Sequence, residues 1–328
     1  MSAEKQKFHF YVDVVGTCNL RCPSCPVGNT PVVVNERGVM SPDMLDRILE
    51  KATSECVVSN VGLFNWTEPL LHPRLDEMVR VVKKYGLLCA VSTNLNINKP
   101  DRYRKLLEAK PSVLRVSLSG YTQEKYGLTH KGGDIDSVLR NLEALLQIKA
   151  EIKSPTRIVV MFHRYFSNLE EEGNIKAYCD ALGVVFQSAN ALMLPLEKVL
   201  AYCGEPLFSS ISRDDEAVIG NLAMPLKESL ASAACAKREP CKLLEQQVTL
   251  NWKGEALLCC AVYDEKKFLV GNYLETSLEA LQAARRRSEV CSTCIKHGAS
   301  NYFLYNIPDM DTLVAENIRH HSKTIINR

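Results

Sequence analysis

The sequence predicts an α/β fold of parallel βα units followed by a smaller module with a different rhythm. Six short β-type segments alternate with helical ones over residues 8 to about 205, the pattern of strands joined by crossover helices. Beyond that point the alternation gives way to a hairpin and a cysteine-rich segment. With 46% apolar residues in 328, the chain can bury one large core and carry an appendage. The expected division is 1–205 and 206–328, with no internal repeat and no low-complexity tract.

Taken in order, Phe8 to Val15 alternates and is rich in Val, Tyr and Phe, so it reads as a strand that delivers a cysteine loop at its carboxyl end. Ser41-Pro42-Asp43 supplies an N-cap, an N1 proline and a first-turn acid for a helix through about Ala52. Further strands are predicted at Val57–Phe64, Leu87–Thr93, Leu114–Ser119, Ile158–His163 and Val184–Gln187. The intervening helices are predicted at Leu75–Tyr85, Asp101–Ala109, Ile135–Lys149 and Leu169–Leu182, with one more at Leu196–Cys203. Right-handed crossovers let such units curve into a partial (β/α)6 barrel, and an open doubly wound sheet is the alternative. Both put a site at the carboxyl ends of the strands. In the second part, Val248–Trp252 and Glu255–Cys259 flank Lys253-Gly254 as a hairpin, ahead of a helix near Ser277–Arg287 and a tight Cys291-Ser-Thr-Cys294.

Forty basic against 38 acidic residues leave a formal charge of +2, which gives no electrostatic case for nucleic acid or an anionic membrane as partner. The run Arg285-Arg286-Arg287 reads as a solvated helix face. Met1-Ser-Ala-Glu-Lys-Gln-Lys-Phe8 lacks an apolar signal core, and no stretch of about 18 apolar residues occurs, so a cytoplasmic protein is expected. In that compartment thirteen cysteines point to metal or redox chemistry rather than to disulfides.

The first cysteines, Cys18, Cys22 and Cys25, form C-x3-C-x2-C directly after the first strand. Structural zinc asks for four protein ligands, whereas three thiolates so placed can hold three irons of a 4Fe-4S cluster and leave the fourth open. The segment resembles the radical S-adenosylmethionine (SAM) enzymes. That resemblance implies a partial barrel, SAM at the open iron, and reductive cleavage to a 5'-deoxyadenosyl radical that takes a hydrogen atom from substrate. It also implies an electron donor such as flavodoxin or ferredoxin.

Asn65-Trp66-Thr67-Glu68-Pro69 resembles the family's Gly-rich segment ending in Glu-Pro, which implies Thr67 and Glu68 as SAM contacts, Glu68 receiving the ammonium. Ser92 and Asn94, and Ser117 and Ser119, match strand ends where the family supplies polar groups to the SAM ribose and carboxylate. On the fifth strand Arg164 is the expected partner of the methionyl carboxylate. The usual aromatic residue before the third cysteine is Ser24 here, so another side chain must cover the adenine. Asn65 and Thr67 stand where glycine is common. Trp66, Tyr121, Tyr126, His130 and Arg164 are candidates to line the pocket.

Cys241, Gly254-x4-Cys259 and Cys291-x2-Cys294 resemble the auxiliary-cluster module called SPASM in its full form and Twitch in its shortened form. The shortened form implies a second 4Fe-4S cluster on Cys241, Cys259, Cys291 and Cys294, with Cys235 an alternative to Cys241 and a four-cysteine zinc ribbon the competing identity. Cys260 is left over, as a hydrogen-atom donor, a ligand in place of Cys259, or a core residue. Only 17 residues precede the first motif, which leaves no room there for a leader-binding or cobalamin-binding domain.

The expected activity is dehydrogenation or epimerisation of a small polar, sugar- or cyclitol-like substrate. In the first outcome the auxiliary cluster takes the second electron and a base removes the hydroxyl proton. In the second a thiol such as Cys260 returns hydrogen from the opposite face. Radical modification of a peptide is the alternative, and a non-catalytic iron-sulfur or zinc protein the third.

Overall fold

The computed structural model describes residues 5–30, 35–236 and 240–326. Six parallel strands lie side by side in chain order: β1 (Lys7–Val12), β2 (Val57–Gly62), β3 (Leu88–Thr93), β4 (Val113–Ser117), β5 (Arg157–Arg164) and β6 (Val185–Asn190). Helices Pro42–Glu55, Leu75–Lys84, Pro100–Glu108, Ile135–Glu151 and Glu172–Ala181 connect them. The sheet is mixed α/β and does not close, as a partial barrel requires.

Strand alternation explains how this frame makes a site. Along β1, Phe8, Phe10 and Val12 are buried and share one core with Leu45, Ile48 and Leu49 of the first long helix. That helix starts where the sequence places it, with the Ser41 hydroxyl accepting from the Met44 N–H at 3.1 Å. The other face carries His9 and Tyr11, then Asp13 just past the strand; on β3 and β4 it carries Ser92, Arg115 and Ser117. One face of the sheet is therefore spent on stability, and the other is polar and free to meet ligand.

The second part of the chain is not a separate sheet. Strands β7 (Gln247–Leu250), β8 (Glu255–Leu257) and β9 (Leu269–Asn272) extend the same sheet to nine strands, in the order β6-β5-β4-β3-β2-β1-β7-β8-β9. β7 runs parallel to β1, with His9 opposite Gln247 and Val12 opposite Leu250, and β8 and β9 follow antiparallel. The physical reason is the edge of β1, whose unpaired N–H and C=O groups need a partner once β2 fills the other side.

Two cores result, and they do not divide at residue 205. One gathers the barrel strands and helices with Val248, Leu250, Ala256, Tyr273, Leu278 and Leu281. The other joins Tyr165, Ala191 and Met193 to Leu222, Leu258, Phe268, Cys294 and Tyr302. Cys291 and Cys294 lie on one helix, Glu289–Lys296, rather than in a tight turn. Among the described residues no helix is long and apolar enough to cross a membrane.

Candidate functional site

At the carboxyl ends of the parallel strands, a cavity of about 360 Å³ is lined by Cys18, Cys22 and Cys25 together with Thr67, Glu68, Ser92, Asn94, Ser117 and Ser119. Those nine residues come from four separate stretches of sequence, and the strand ends bring them to one place. The cysteine loop is compact. Cys25 N–H donates to the Cys22 carbonyl at 3.1 Å and begins the short helix Pro26–Asn29. Gly28 permits this closure, because a Cβ there would stand 2.2 Å from the Cys22 carbonyl oxygen.

The thiols sit in surroundings that oppose free thiolates. Burial pushes Cys18 up to about 11, and burial with the neighbouring Cys18 pushes Cys22 up to about 12. Cys25 is raised further by burial and by both other cysteines. Three soft thiols held together and kept neutral by their environment suit a cationic iron centre, whose binding displaces the protons. N–H groups already point at the first of them, Leu20 N–H at 3.5 Å and Asn94 Nδ2 at 3.8 Å from Cys18 Sγ.

Asp13, one residue beyond β1, organises the Asn65–Glu68 loop. Its carboxylate accepts from the backbone N–H groups of Asn65 (2.9 Å), Trp66 (3.0 Å) and Thr67 (3.3 Å) and from Thr67 Oγ1 (2.6 Å). The N–H groups of Asn65, Trp66 and Thr67 are thereby committed to Asp13, that of Glu68 donates to the Thr17 carbonyl at 3.1 Å, and the Trp66 carbonyl lies 3.9 Å from Cys25 Sγ. Asn65 and Thr67 thus fill glycine-type positions because a carboxylate beneath the loop sets its course.

Glu68 is buried and accepts three hydrogen bonds, from Leu70 N–H (2.9 Å), Thr93 Oγ1 (2.7 Å) and Asn94 N–H (2.7 Å). Burial outweighs these donors and lifts its carboxyl to about 7. It is a helix-entry acid at Pro69–Leu71 and a cavity-lining acid at once. Ser119 accepts from the His163 N–H at 2.9 Å, and Asn94 donates to Asn19 Oδ1 at 3.0 Å.

Arg164 does not reach this cavity. The inward position on β5 belongs to His163, so Arg164 turns outward, where its Nε lies 3.1 Å from Glu172 Oε2. The guanidinium that lines the cavity is Arg115, which stands 5.7 Å from the Phe64 ring centroid. Its signal in the sequence is a charged residue between Leu114 and Val116, two before Ser117 and therefore on the same strand face. Among the other lining candidates, Trp66 and His130 border the cavity, Tyr126 is stacked behind His130 at 4.6 Å, and Tyr121 lies against Tyr178. Burial lowers His130 to about 3 and lowers His163 as well, so both imidazoles are neutral at pH 7. Tyr165 also lines the cavity, and its hydroxyl hydrogen-bonds Ser24.

A second sulfur group forms in the other core. Cys241, Cys259, Cys291 and Cys294 line one small apolar space with Leu196, Leu258 and Phe303. Cys291 and Cys294 are three apart on one helix and share a face, Cys241 opens the helix Lys242–Glu245, and Cys259 follows β8. Burial raises Cys259, Cys291 and Cys294. Cys235 is exposed and outside this space. Cys260 is turned away from it toward Gln247, and it lines neither sulfur space. Among the described residues no three His, Cys, Asp or Glu side chains close around a point as a single metal ion requires. The arginine run is not a solvated face throughout. Arg285 is only 3% exposed, while Arg286 pairs with Glu245 near the surface.

Comparison with known proteins bears on the first of these sites. Residues 12–171 match the model of the Radical SAM superfamily. Over 110 residues the chain is 31% identical to a Pyrococcus furiosus protein described as a tungsten-containing aldehyde ferredoxin oxidoreductase cofactor-modifying protein, covering 34% of this chain and 30% of that one. Over 194 residues it is 25% identical to a probable GTP 3',8-cyclase of Methanococcus maripaludis, covering 59% and 61%. The chain thus spans less than two thirds of either relative. The crystal structure of Streptococcus suis SuiB bound to S-adenosylmethionine superposes with a TM-score of 0.56 over 84% of this chain and 65% of that one, at 15% identity, a likeness of fold.

Proposed function

We propose that this chain, whose residues 12–171 match the Radical SAM superfamily model, is a two-cluster radical SAM oxidoreductase that dehydrogenates a small polar, sugar- or cyclitol-like substrate at a carbinol carbon. The observation that carries this is the single cavity in which Cys18, Cys22 and Cys25 meet Glu68, Asn94 and the inward serines of β3 and β4. When bound, the reduced cluster and SAM supply the 5'-deoxyadenosyl radical that takes the carbinol hydrogen. An electron donor such as flavodoxin or ferredoxin delivers the reducing electron.

This chain's residues hold and orient the rest. Glu68 has about four acceptor positions as a carboxylate, and its three donors leave one for the SAM ammonium. Arg115 takes the place expected of Arg164 as the bidentate partner of the methionyl carboxylate. Ser92, Asn94 and Ser117 meet the ribose and the amino-acid end. Ser119, whose oxygen already accepts from His163 N–H, keeps its hydroxyl proton to donate. Thr67 donates its hydroxyl hydrogen bond to Asp13 and acts by holding the loop in place. Tyr165, tethered to Ser24, presents the ring that the position before Cys25 lacks. His163, neutral and facing the cavity, is the acceptor for the carbinol hydroxyl proton, and His130, held at about 3 by burial, lines the cavity as a neutral polar wall.

Dehydrogenation is favoured over epimerisation by Cys260. A hydrogen-atom donor must reach the substrate radical, and this thiol is half-buried beside Gln247 outside the cavity lining. The test uses a panel of carbinol-deuterated sugars and cyclitols with anaerobically reconstituted protein. One ketone per SAM consumed, with deuterium in the 5'-deoxyadenosine and no loss in Cys260→Ala, is the expected result. Inverted alcohol whose yield collapses in Cys260→Ala would replace dehydrogenation with epimerisation. Turnover of a peptide instead of any carbinol would move the chain to the peptide-modifying class.

A further inference from the structure

Arg285 is the most buried cation of the second core, and nothing in the sequence pattern distinguished it from its two neighbours. Its four hydrogen bonds go to neutral oxygens. Nε donates to the Leu258 carbonyl at 2.7 Å, Nη2 to the Leu243 carbonyl at 2.8 Å, and Nη1 to the Gln247 carbonyl at 2.7 Å and to Gln282 Oε1 at 2.5 Å. Among the described residues no carboxylate pairs with it. A guanidinium cannot shed its proton, and a buried charge without a counter-charge is strongly unfavourable. The groups that act on it most strongly are sulfurs, Cys259 foremost, then Cys291, Cys241 and Cys260, while the Glu245 carboxylate, which also feels its charge, is paired with Arg286.

The hydrogen bonds also choose their carbonyls. Leu258 directly precedes Cys259, and Leu243 lies two residues after Cys241. Arg285 itself stands six residues before Cys291, at the end of the helix that leads into the Cys291–Cys294 helix. One side chain thus ties together the three segments that carry the four thiols.

We propose that Arg285 is the counter-charge of the Cys241, Cys259, Cys291 and Cys294 site and that it raises the reduction potential of the cluster held there, so that this site accepts an electron. This rests on the two-cluster assignment above. A fixed cation next to a cluster stabilises its reduced, more negative form, and local net charge is one of the levers on iron-sulfur potentials. Arg285 is therefore a positioning and tuning residue, not a catalytic one.

The experiment is an anaerobic redox titration of the full reconstituted chain followed by electron paramagnetic resonance. The signal that changes on adding SAM marks the first cluster, and the SAM-insensitive signal marks the second. In Arg285→Gln the SAM-insensitive signal should need a poise at least 59 mV lower to reach the same reduced fraction, a tenfold change for a one-electron couple, with the SAM-sensitive signal unmoved. Arg285→Lys, which keeps the charge and loses the fork, should recover most of that shift. A second-cluster potential unchanged in Arg285→Gln, with about eight irons still bound per chain, overturns the proposal and leaves the two-cluster assignment standing. About four irons in the unaltered protein, or zinc in the second site, overturns both. If Arg285→Gln folds by circular dichroism but assembles no second cluster, Arg285→Lys decides. Assembly with lysine supports a charge role, and equal failure of both makes Arg285 a scaffold residue and removes the proposal.

Discussion

The two sulfur sites of this chain differ in everything except their donor atoms. Cys18, Cys22 and Cys25 open onto a cavity of about 360 Å³ at the strand ends, lined also by a carboxylate, a guanidinium and two imidazoles. Cys241, Cys259, Cys291 and Cys294 are enclosed mostly by leucine, isoleucine, alanine and phenylalanine, and the buried Arg285 bonds carbonyls of the segments that carry them. Three thiolates on an open cavity leave a coordination position for an exchanging ligand, whereas four in an apolar enclosure leave none. On the function proposed above, this difference divides the labour: the first site binds and reacts, and the second holds charge.

The sharpest way to break that contrast is to remove one thiol from each. Cys22→Ala should abolish 5'-deoxyadenosine formation altogether and lower bound iron by about half, as chromatography and iron analysis would register. Cys294→Ala should leave SAM cleavage within about threefold while the oxidised product disappears, because the second site lies outside the SAM cavity. Equal loss of SAM cleavage in both variants would erase the division of labour.

A smaller effect probes the polar side of the comparison. Glu68 must be ionised to receive an ammonium, and its carboxyl titrates at about 7. SAM affinity should therefore weaken as pH falls through 7, by about tenfold per unit once the acid form dominates. Glu68→Gln should bind SAM roughly tenfold to a hundredfold more weakly at pH 8, the worth of a charge-assisted hydrogen bond, and lose the pH dependence. Calorimetric titrations from pH 6 to 8 measure both. A wild-type affinity flat across that range would remove Glu68 from the ammonium site.

The finest test separates two arginines. Arg115→Met should weaken SAM binding by about tenfold, while Arg164→Met, whose partner is Glu172, should stay within about twofold. The reverse order would restore the outward arginine as the SAM partner.

Much of the frame was legible in the chain because its causes are local. The Ser41 cap, the strand alternation of Phe8, Phe10 and Val12, and the helix at Leu75–Lys84 depend on neighbours within a few residues. The cysteine spacings were legible for the same reason, as were Ser92, Asn94, Ser117 and Ser119 at strand ends. Arg164 was misplaced by one residue of strand phase, since alternation sends His163 inward and its neighbour out. Asp13 was passed over because its three backbone partners lie more than 50 residues away. The hairpin looked like a module of its own because nothing in its residues names the free edge of β1 as its partner.

By itself, the sequence determined the repeating βα order, the three-thiol loop and the existence of a second cysteine group, all set by short-range spacing. Only the tertiary structure decided that β7 continues the barrel sheet, that Arg115 rather than Arg164 faces the cavity, and that Arg285, unlike its exposed neighbours, is buried against the segments that carry the second cysteine group. Each of those outcomes turns on which face of an element is covered by distant chain, a quantity that burial and pairing settle and local pattern does not carry.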